Sequence, residues 1–218
     1  DSNLLIAAAA GNGQSTCAEL AIARALGTPS AQQRPQVLYL TAKYATVAVR
    51  AADWQERLGG LLGYKVAALS DGDGKLLSRT QLSDADVICC SAAQWELVIR
   101  QEKPGSAGAI PAAPPRLSLI IVDEVELLGD GGAGDAAGDA GLMELALSRW
   151  LPDATAAGSG GKIRVVGLAG AALATDSAQD LASWLGVDAE GGVFNFSNGV
   201  RPTPQELIVK KFEEKKHT

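Results

Sequence analysis

Six short, almost uniformly apolar runs punctuate the chain: "NLLIAA" (3–8), "QVLYLT" (36–41), "YKVAAL" (64–69), "DVICCS" (86–91), "LSLIIVD" (117–123) and "KIRVVGL" (162–168). A strand with one wet face alternates apolar and polar residues, whereas a run apolar throughout suits a parallel strand covered on both faces. Segments near 15–26, 43–59, 92–102, 141–150 and 175–185 carry helical patterns, and Gly27-Thr28-Pro29 supplies a stop for the first. Strand and helix in turn predict an α/β domain of three layers, a mostly parallel sheet with helices on both faces.

Composition narrows the function classes. With 218 residues and 47% hydrophobic side chains, the chain can fill the core of one domain or one large lobe, which argues against global disorder. A net charge of −6 without a basic stripe argues against strong nucleic-acid binding by the chain alone. Cys17, Cys89 and Cys90 have no metal-ligand spacing, and the adjacent pair in an apolar run reads as buried thiols of a reducing compartment. No signal peptide and no run long enough to span a bilayer stand out, so no membrane partner is expected. The chain starts directly on its first strand, as a fragment trimmed from something larger would, and His217 reads as an exposed terminal residue. "PGSAGAIPAAPP" (104–115), "GDGGAGDAAGDAG" (129–141) and "ATAAGSGG" (154–161) are expected to be flexible loops. The acidic one lacks the ordered ligand pattern, ending in Glu, of a calcium loop.

The first run leads into "AAAAGNGQSTCAELAIARAL". A strand, a glycine turn and a helix aim backbone N–H groups and a positive helix end at phosphate oxygens. Gly11 and Gly13, either side of Asn12, let the backbone wrap closely, and Ser15 is in place to put its hydroxyl on Mg²⁺. Loops of this layout carry a lysine before the hydroxyl residue to hold the β- and γ-phosphates; here Gln14 stands there, a donor without charge. Losing a charge-assisted contact costs about 1.5–3 kcal/mol, and more where negative charge builds up on a γ-phosphoryl group. Further on, "LSLIIVDEVELLGD" ends an apolar strand in Asp123-Glu124, the layout of a Mg²⁺-coordinating Asp followed by a water-activating Glu. Alone, each motif is matched by a common turn or a solvated strand end. Their order and spacing are those of a nucleotide-driven motor lobe.

Over nearly its whole length the sequence resembles the first RecA-like lobe of superfamily 2 helicases of the DExH kind. Within that group it is most similar to the spliceosomal RNA helicases with two tandem cassettes (the U5 snRNP type), the second cassette in particular. The 3–26 stretch is similar to the family's strand, "APTGSGKT" loop and helix, and "VLYLTAKYATVAVRAADW" stands where the family has a strand, "TPMEALA" and a helix with Asp-Trp. "DVICCSAAQWELVIR" is similar to "IIISTPEKWDILSR", and "LIIVDEVELLGD" to "FVVDEVHLIGG". "RVVGLAGAALATDSAQDLASWLGV" is similar to "ALSSSLSNAKDVAHWLG", and "VFNFSNGVRPTPQELIV" to "FNFHPNVRPVPLEL". The resemblance implies a RecA-like lobe over 1–212, with 213–218 starting a linker to a second lobe. It implies ATP or ADP with Mg²⁺ on Gly11, Asn12, Gly13, Gln14 and Ser15, the metal on Asp123 and Ser15, and Glu124 as catalytic carboxylate. It also implies RNA contacts at Thr41, Lys43 and Ser91, a nuclear setting, and as partners the second lobe, a neighbouring active cassette of the same protein and splicing factors.

The departures from the family pattern fall on chemistry and coupling. The loop lysine is Gln14, the preceding Pro-Thr is Ala9-Ala10, the RNA-contacting "TP" is Thr41-Ala42 and "TPE" is Ser91-Ala92-Ala93. Glu126 replaces the His of the acidic motif, and the serine-rich coupling motif is Ala169-Gly170-Ala171. Trp54, Trp95 and Trp184 remain and are expected as core or helix-packing residues; Arg201-Pro202 is expected to fix the path of the chain out of the lobe. The leading expectation is a degenerate lobe: Glu124 idle, the nucleotide site weak or empty, RNA contact weak or absent, and a structural, docking role in splicing. The competing expectation is a lobe of an active ATP-dependent RNA helicase unwinding snRNA duplexes, another cation standing in for the lysine. Asp123 and Glu124 either hold Mg²⁺ with a nucleotide or persist as strand-end carboxylates. An unrelated α/β binding domain would have to match "DEVELLG" and "FNF…VRPTP" by chance.

Overall fold

The computed structural model describes residues 2–27, 34–69, 79–100, 116–128, 135–151, 163–201, 203 and 208–210. Among these residues the strands are β1 (Leu4–Ala7), β2 (Gln36–Thr41), β3 (Val66–Ala68), β4 (Val87–Ser91), β5 (Leu117–Val122), β6 (Arg164–Ala169) and β7 (Val193–Asn195). They form one sheet in the order β3-β4-β2-β5-β6-β1-β7, every pairing parallel. The helices are α1 (Gln14–Gly27), α2 (Tyr44–Trp54), α3 (Gly60–Leu62), α4 (Arg79–Asp84), α5 (Ala92–Arg100), α6 (Asp135–Ser148) and α7 (Thr175–Trp184). This is the three-layer α/β architecture expected from the alternation of runs. No helix among the described residues is long and apolar enough to cross a membrane.

The uniform runs follow from two cores served by one sheet. Successive strand residues point to opposite faces, so β2 sends Val37 and Tyr39 to the side of α1 and α2, against Ala18, Ile22, Val47 and Trp54. Leu38 and Leu40 go to the other side, against Trp95 of α5 and Met143, Ala146 and Leu147 of α6. A polar residue at any of these positions would enter one core or the other. Each fully buried aliphatic side chain contributes about 1.5–3 kcal/mol.

Several elements differ from the sequence expectation. β7 has no apolar run because it is an edge strand, with Phe194 and Asn195 exposed. The expected 43–59 helix is α2 continued through a π-helical turn, Gln55–Gly59, into α3, and the left-handed Gly63 ends it. α6 begins at Asp135, so 135–141, read from sequence as flexible loop, are helical. Ala136, Ala137 and Ala140 favour helix there despite the glycines. Residues 129–134, 104–115, 154–161 and 213–218 lie outside the described residues. Trp54 and Trp95 are core, as expected, whereas Trp184 at the end of α7 is 37% exposed.

The register brings four strand ends to one edge: Ala7 of β1 faces Ala169 of β6, Gly167 of β6 faces Val122 of β5, and Val122 faces Leu40 of β2. Parallel α/β sheets bind ligands beyond the carboxyl ends of their strands, and the loops that leave this edge carry both sequence motifs.

Candidate functional site

Between β1 and α1 the chain turns through 8–13. The turn is closed by the Asn12 N–H on the Ala9 carbonyl at 3.2 Å and the Cys17 N–H on the Gly13 carbonyl at 3.0 Å. Gly11 and Gly13 have φ of 86° and 90°, and a Cβ on either would meet nothing within 4 Å. The backbone angle, not crowding, therefore demands glycine, and the space beside both is open. Gln14 is turned back onto the loop: its Nε2 donates to the Ala8 carbonyl and lies 3.2 Å from the Ala169 carbonyl and 3.4 Å from that of Ala9. The side chain that replaces the cation thus ties the loop to the end of β6. From the stretch after β7, Arg201 donates through Nη2 to the Ala10 carbonyl at 2.9 Å.

Asp123 and Glu124 leave β5 beside this loop, with β6 between them. The Asp123 N–H reaches the Leu40 carbonyl at 2.8 Å. Its Oδ1 accepts the Glu124 N–H at 2.9 Å and its Oδ2 the Tyr39 hydroxyl at 2.5 Å. Burial, and then the Asp123 carboxylate, push the Tyr39 phenol well above its ordinary range, so it stays a donor. Glu124 adopts φ 59° and ψ 39°, a left-handed conformation costing of order 1–3 kcal/mol for a non-glycine residue. Its carboxylate is held on both oxygens: Thr41 Oγ1 donates to Oε2 at 2.9 Å, and Lys43 Nζ stands 3.3 Å from Oε1. Lys43 is exposed, so that ion pair is worth no more than about 1 kcal/mol.

Glu126, in the short 3₁₀ turn Val125–Leu127, joins the acidic strand end to the stretch after β6. Its Oε1 accepts the Gly170 N–H at 3.0 Å, while Oε2 is buried without a hydrogen-bond partner. Burial first, then the charges of Asp123 and Glu124, raise its carboxyl pKa against the hydrogen bonds from Gly170 and its own backbone. A Cβ at Gly170 would come within 2.9 Å of Oε1. Where the resemblance leads one to expect serine hydroxyls, a carboxylate on a backbone N–H makes the link. Glu126 also lines an open cleft of about 760 Å³ bounded by Leu173, Asp180 and Trp184.

The candidate residues therefore separate. Gly11, Asn12, Gly13, Gln14 and Ser15 form the turn and helix start after β1, with Asp123 and Glu124 at the end of β5, two strands away. Of the three RNA candidates, Thr41 is buried with its hydroxyl on Glu124. Ser91 is buried as well: its Oγ accepts the Gln94 N–H at 3.3 Å while Gln94 Oε1 accepts the Ser91 N–H at 3.2 Å, a reciprocal cap for α5. Lys43 is the exposed one. Sequence reasoning missed Tyr39, which reads as one more apolar member of β2, and the reach of Arg201 to the loop, for which spacing gives no signal.

Residues 1–146 match the DEAD/DEAH box helicase family. The chain belongs to that family. Its sheet is the RecA-like α/β sheet of such helicase domains. It is 33% identical over 213 residues to the zebrafish (Danio rerio) activating signal cointegrator 1 complex subunit 3, covering 97% of this chain and 12% of that protein. To the Arabidopsis thaliana DExH-box ATP-dependent RNA helicase DExH13 it is 32% identical over 208 residues, 95% of this chain and 8% of the relative. The human activating signal cointegrator 1 complex subunit 3 is 30% identical over 97% of this chain and 8% of its own length. The helicase lobe thus spans roughly a tenth of the curated relatives it matches.

Helicase domains of this family in general bind ATP with Mg²⁺. The residues here fit that ligand in shape: an open glycine turn, Ser15 in the first turn of α1, and the buried Asn12 Nδ2 without a partner, a donor in want of an acceptor. Mg²⁺ is usually held by one or two carboxylates together with substrate phosphates, and Asp123 and Ser15 are the residues that could hold it here. Among the described residues no group of three or more His, Cys, Asp or Glu forms an all-protein metal site. What the loop lacks at position 14 is charge.

Proposed function

We propose that this helicase lobe is degenerate: it takes ATP or ADP with Mg²⁺ on the Gly11–Ser15 turn, does not turn it over efficiently, and serves as a structural and protein-docking module. The observation that carries the reading is Gln14, uncharged and spent on the backbone carbonyls of the loop and β6. Two further features support it. Glu124, which would orient the attacking water, is held by Thr41 and Lys43. The stretch that couples nucleotide state to RNA grip has lost its hydroxyls and runs through the Glu126–Gly170 contact instead. Bound Mg²⁺–nucleotide would supply the phosphoanhydride. The chain would supply the loop N–H groups as its cradle, and Ser15 and Asp123 as metal ligands.

In this reading a second lobe would complete the site with its arginines, and a neighbouring active cassette of the same protein would use this one as a support. Splicing factors would dock on it in the nucleus. RNA contact would be weak, in keeping with a net charge of −6 and the interior positions of Thr41 and Ser91. The competing reading, an active lobe with a substitute cation, is favoured by one observation, the contact of Arg201 with the loop. ATP turnover by the full-length protein, with and without Glu124→Gln, separates the two. The degenerate reading expects turnover unchanged by the substitution. Brisk turnover abolished by it overturns the degenerate reading.

A further inference from the structure

Asp123 leaves the end of β5, and Ser15 opens α1 after β1, two strands away. A buried path of side chains ties the two elements, and it starts in β2. The Tyr39 side chain is interior, with its hydroxyl on Asp123 Oδ2 at 2.5 Å. The Tyr39 ring meets Trp54 edge to face, with centroids 5.0 Å apart and planes at 75°. Trp54, buried at the end of α2, donates through Nε1 to Glu19 Oε1 at 3.2 Å. Arg57, from the π-helical turn, grips both oxygens of that carboxylate, Nη1 on Oε1 at 2.8 Å and Nη2 on Oε2 at 2.5 Å. Such a forked pair fixes direction as well as distance. Glu19 follows Ser15 by one turn of α1, and residues four apart lie on the same helix face.

We propose that Tyr39 is a positioning residue for the metal: its hydroxyl sets the attitude of the Asp123 carboxylate that would hold Mg²⁺, and its ring, through Trp54 and Glu19, keys that attitude to α1. An ionised carboxylate offers about four lone-pair positions. The Glu124 N–H takes one on Oδ1 and the Tyr39 hydroxyl one on Oδ2, which fixes the plane of the group and leaves a position on each oxygen. The hydroxyl proton is not drawn elsewhere by Arg50, the other charged group acting on this phenol, because a guanidinium accepts no hydrogen bond. Partners of this kind orient carboxylates that bind metals, and losing one typically costs about 10–100-fold in metal affinity. The inference rests on the reading that the Gly11–Ser15 turn takes a nucleotide with Mg²⁺. It concerns affinity for the metal and holds whether or not hydrolysis follows.

The test is titration calorimetry of the full chain with ADP, once in excess Mg²⁺ and once in EDTA. The variants are Tyr39→Phe, which keeps the ring on Trp54, Asp123→Asn, and the Tyr39→Phe/Asp123→Asn double. Tyr39→Phe is expected to weaken ADP about tenfold in Mg²⁺ and by less than about twofold in EDTA. Where Asp123→Asn has already removed the carboxylate, Tyr39→Phe is expected to cost less than about twofold in either condition. A Mg²⁺ affinity within about twofold of the wild type overturns the proposal, as do equal losses with and without metal or an equal loss in the Asp123→Asn background. Each of these leaves nucleotide binding at the turn standing. Should Tyr39→Phe not fold, the isotope-labelled Cζ resonance of Tyr39 in the wild type carries the test, assigned among the three tyrosines with Tyr44→Phe and Tyr64→Phe. It is expected to shift when Mg²⁺ is added to the ADP complex, and an unmoved resonance overturns the proposal. Wild-type binding of ADP that Mg²⁺ does not strengthen overturns it too, and no binding in either condition overturns the proposal together with the reading it rests on.

Discussion

At the scale of single residues, Glu126 is the most exposed to solution conditions. A carboxyl whose folded pKa is raised favours the protonated form in the folded state. The stability tied to that proton is complete below the ordinary carboxylate range and is lost as pH rises through the folded value. Glu126→Gln keeps an oxygen for the Gly170 N–H and removes the charge beside Asp123 and Glu124. The variant should therefore melt higher than the wild type at pH 8, with the gap closing towards pH 5; thermal melts at both pH values check it, and equal melting at pH 8 would contradict it. The sequence marks Glu126 and Gln14 as departures, because both stand where the family pattern has another residue. It is silent on where they go. The contacts of Gln14 with Ala169 and of Arg201 with Ala10 join residues more than a hundred positions apart, and no local pattern encodes them.

Single elements are legible in proportion to their burial. β2 and β4 are buried at every position and stand out as uniform apolar runs, whereas β7 has two exposed residues of three and carries no such run. α6 starts early because alanine favours helix over the loop that its glycines announce. β7 is placed by packing at its entry. A Cβ on Gly192 would come within 2.6 Å of Val187 Cγ1, 2.9 Å of the Asp188 carbonyl and 3.0 Å of the Asn3 carbonyl. Two of these neighbours are backbone and do not yield as a flexible side chain would. Gly192→Ala is expected to cost about 1–3 kcal/mol in denaturant unfolding, the range of overpacked sites, and a loss below about 0.5 kcal/mol would show that the turn before β7 gives way freely.

For the whole molecule, the two cores on opposite faces of one sheet set which groups reagents can reach. The Cys89 thiol is pushed up to about 12, by burial and against the charge of Arg50. Its neighbour Cys90 is also pushed well up, by burial and by Cys89. Cys17, on α1, is partly exposed. Alkylation with iodoacetamide at pH 8 should therefore modify Cys17 in the folded chain and the other two only after unfolding, as mass spectrometry before and after denaturant would report. Early modification of Cys89 or Cys90 would mean that one of the two cores opens under native conditions. The outermost ribbon of the sheet runs straight on into a hook over the glycine turn. A pull on whatever chain follows residue 201 would consequently work as a lever, peeling the margin of the sheet and loosening the turn in one motion, while the central strands stayed still.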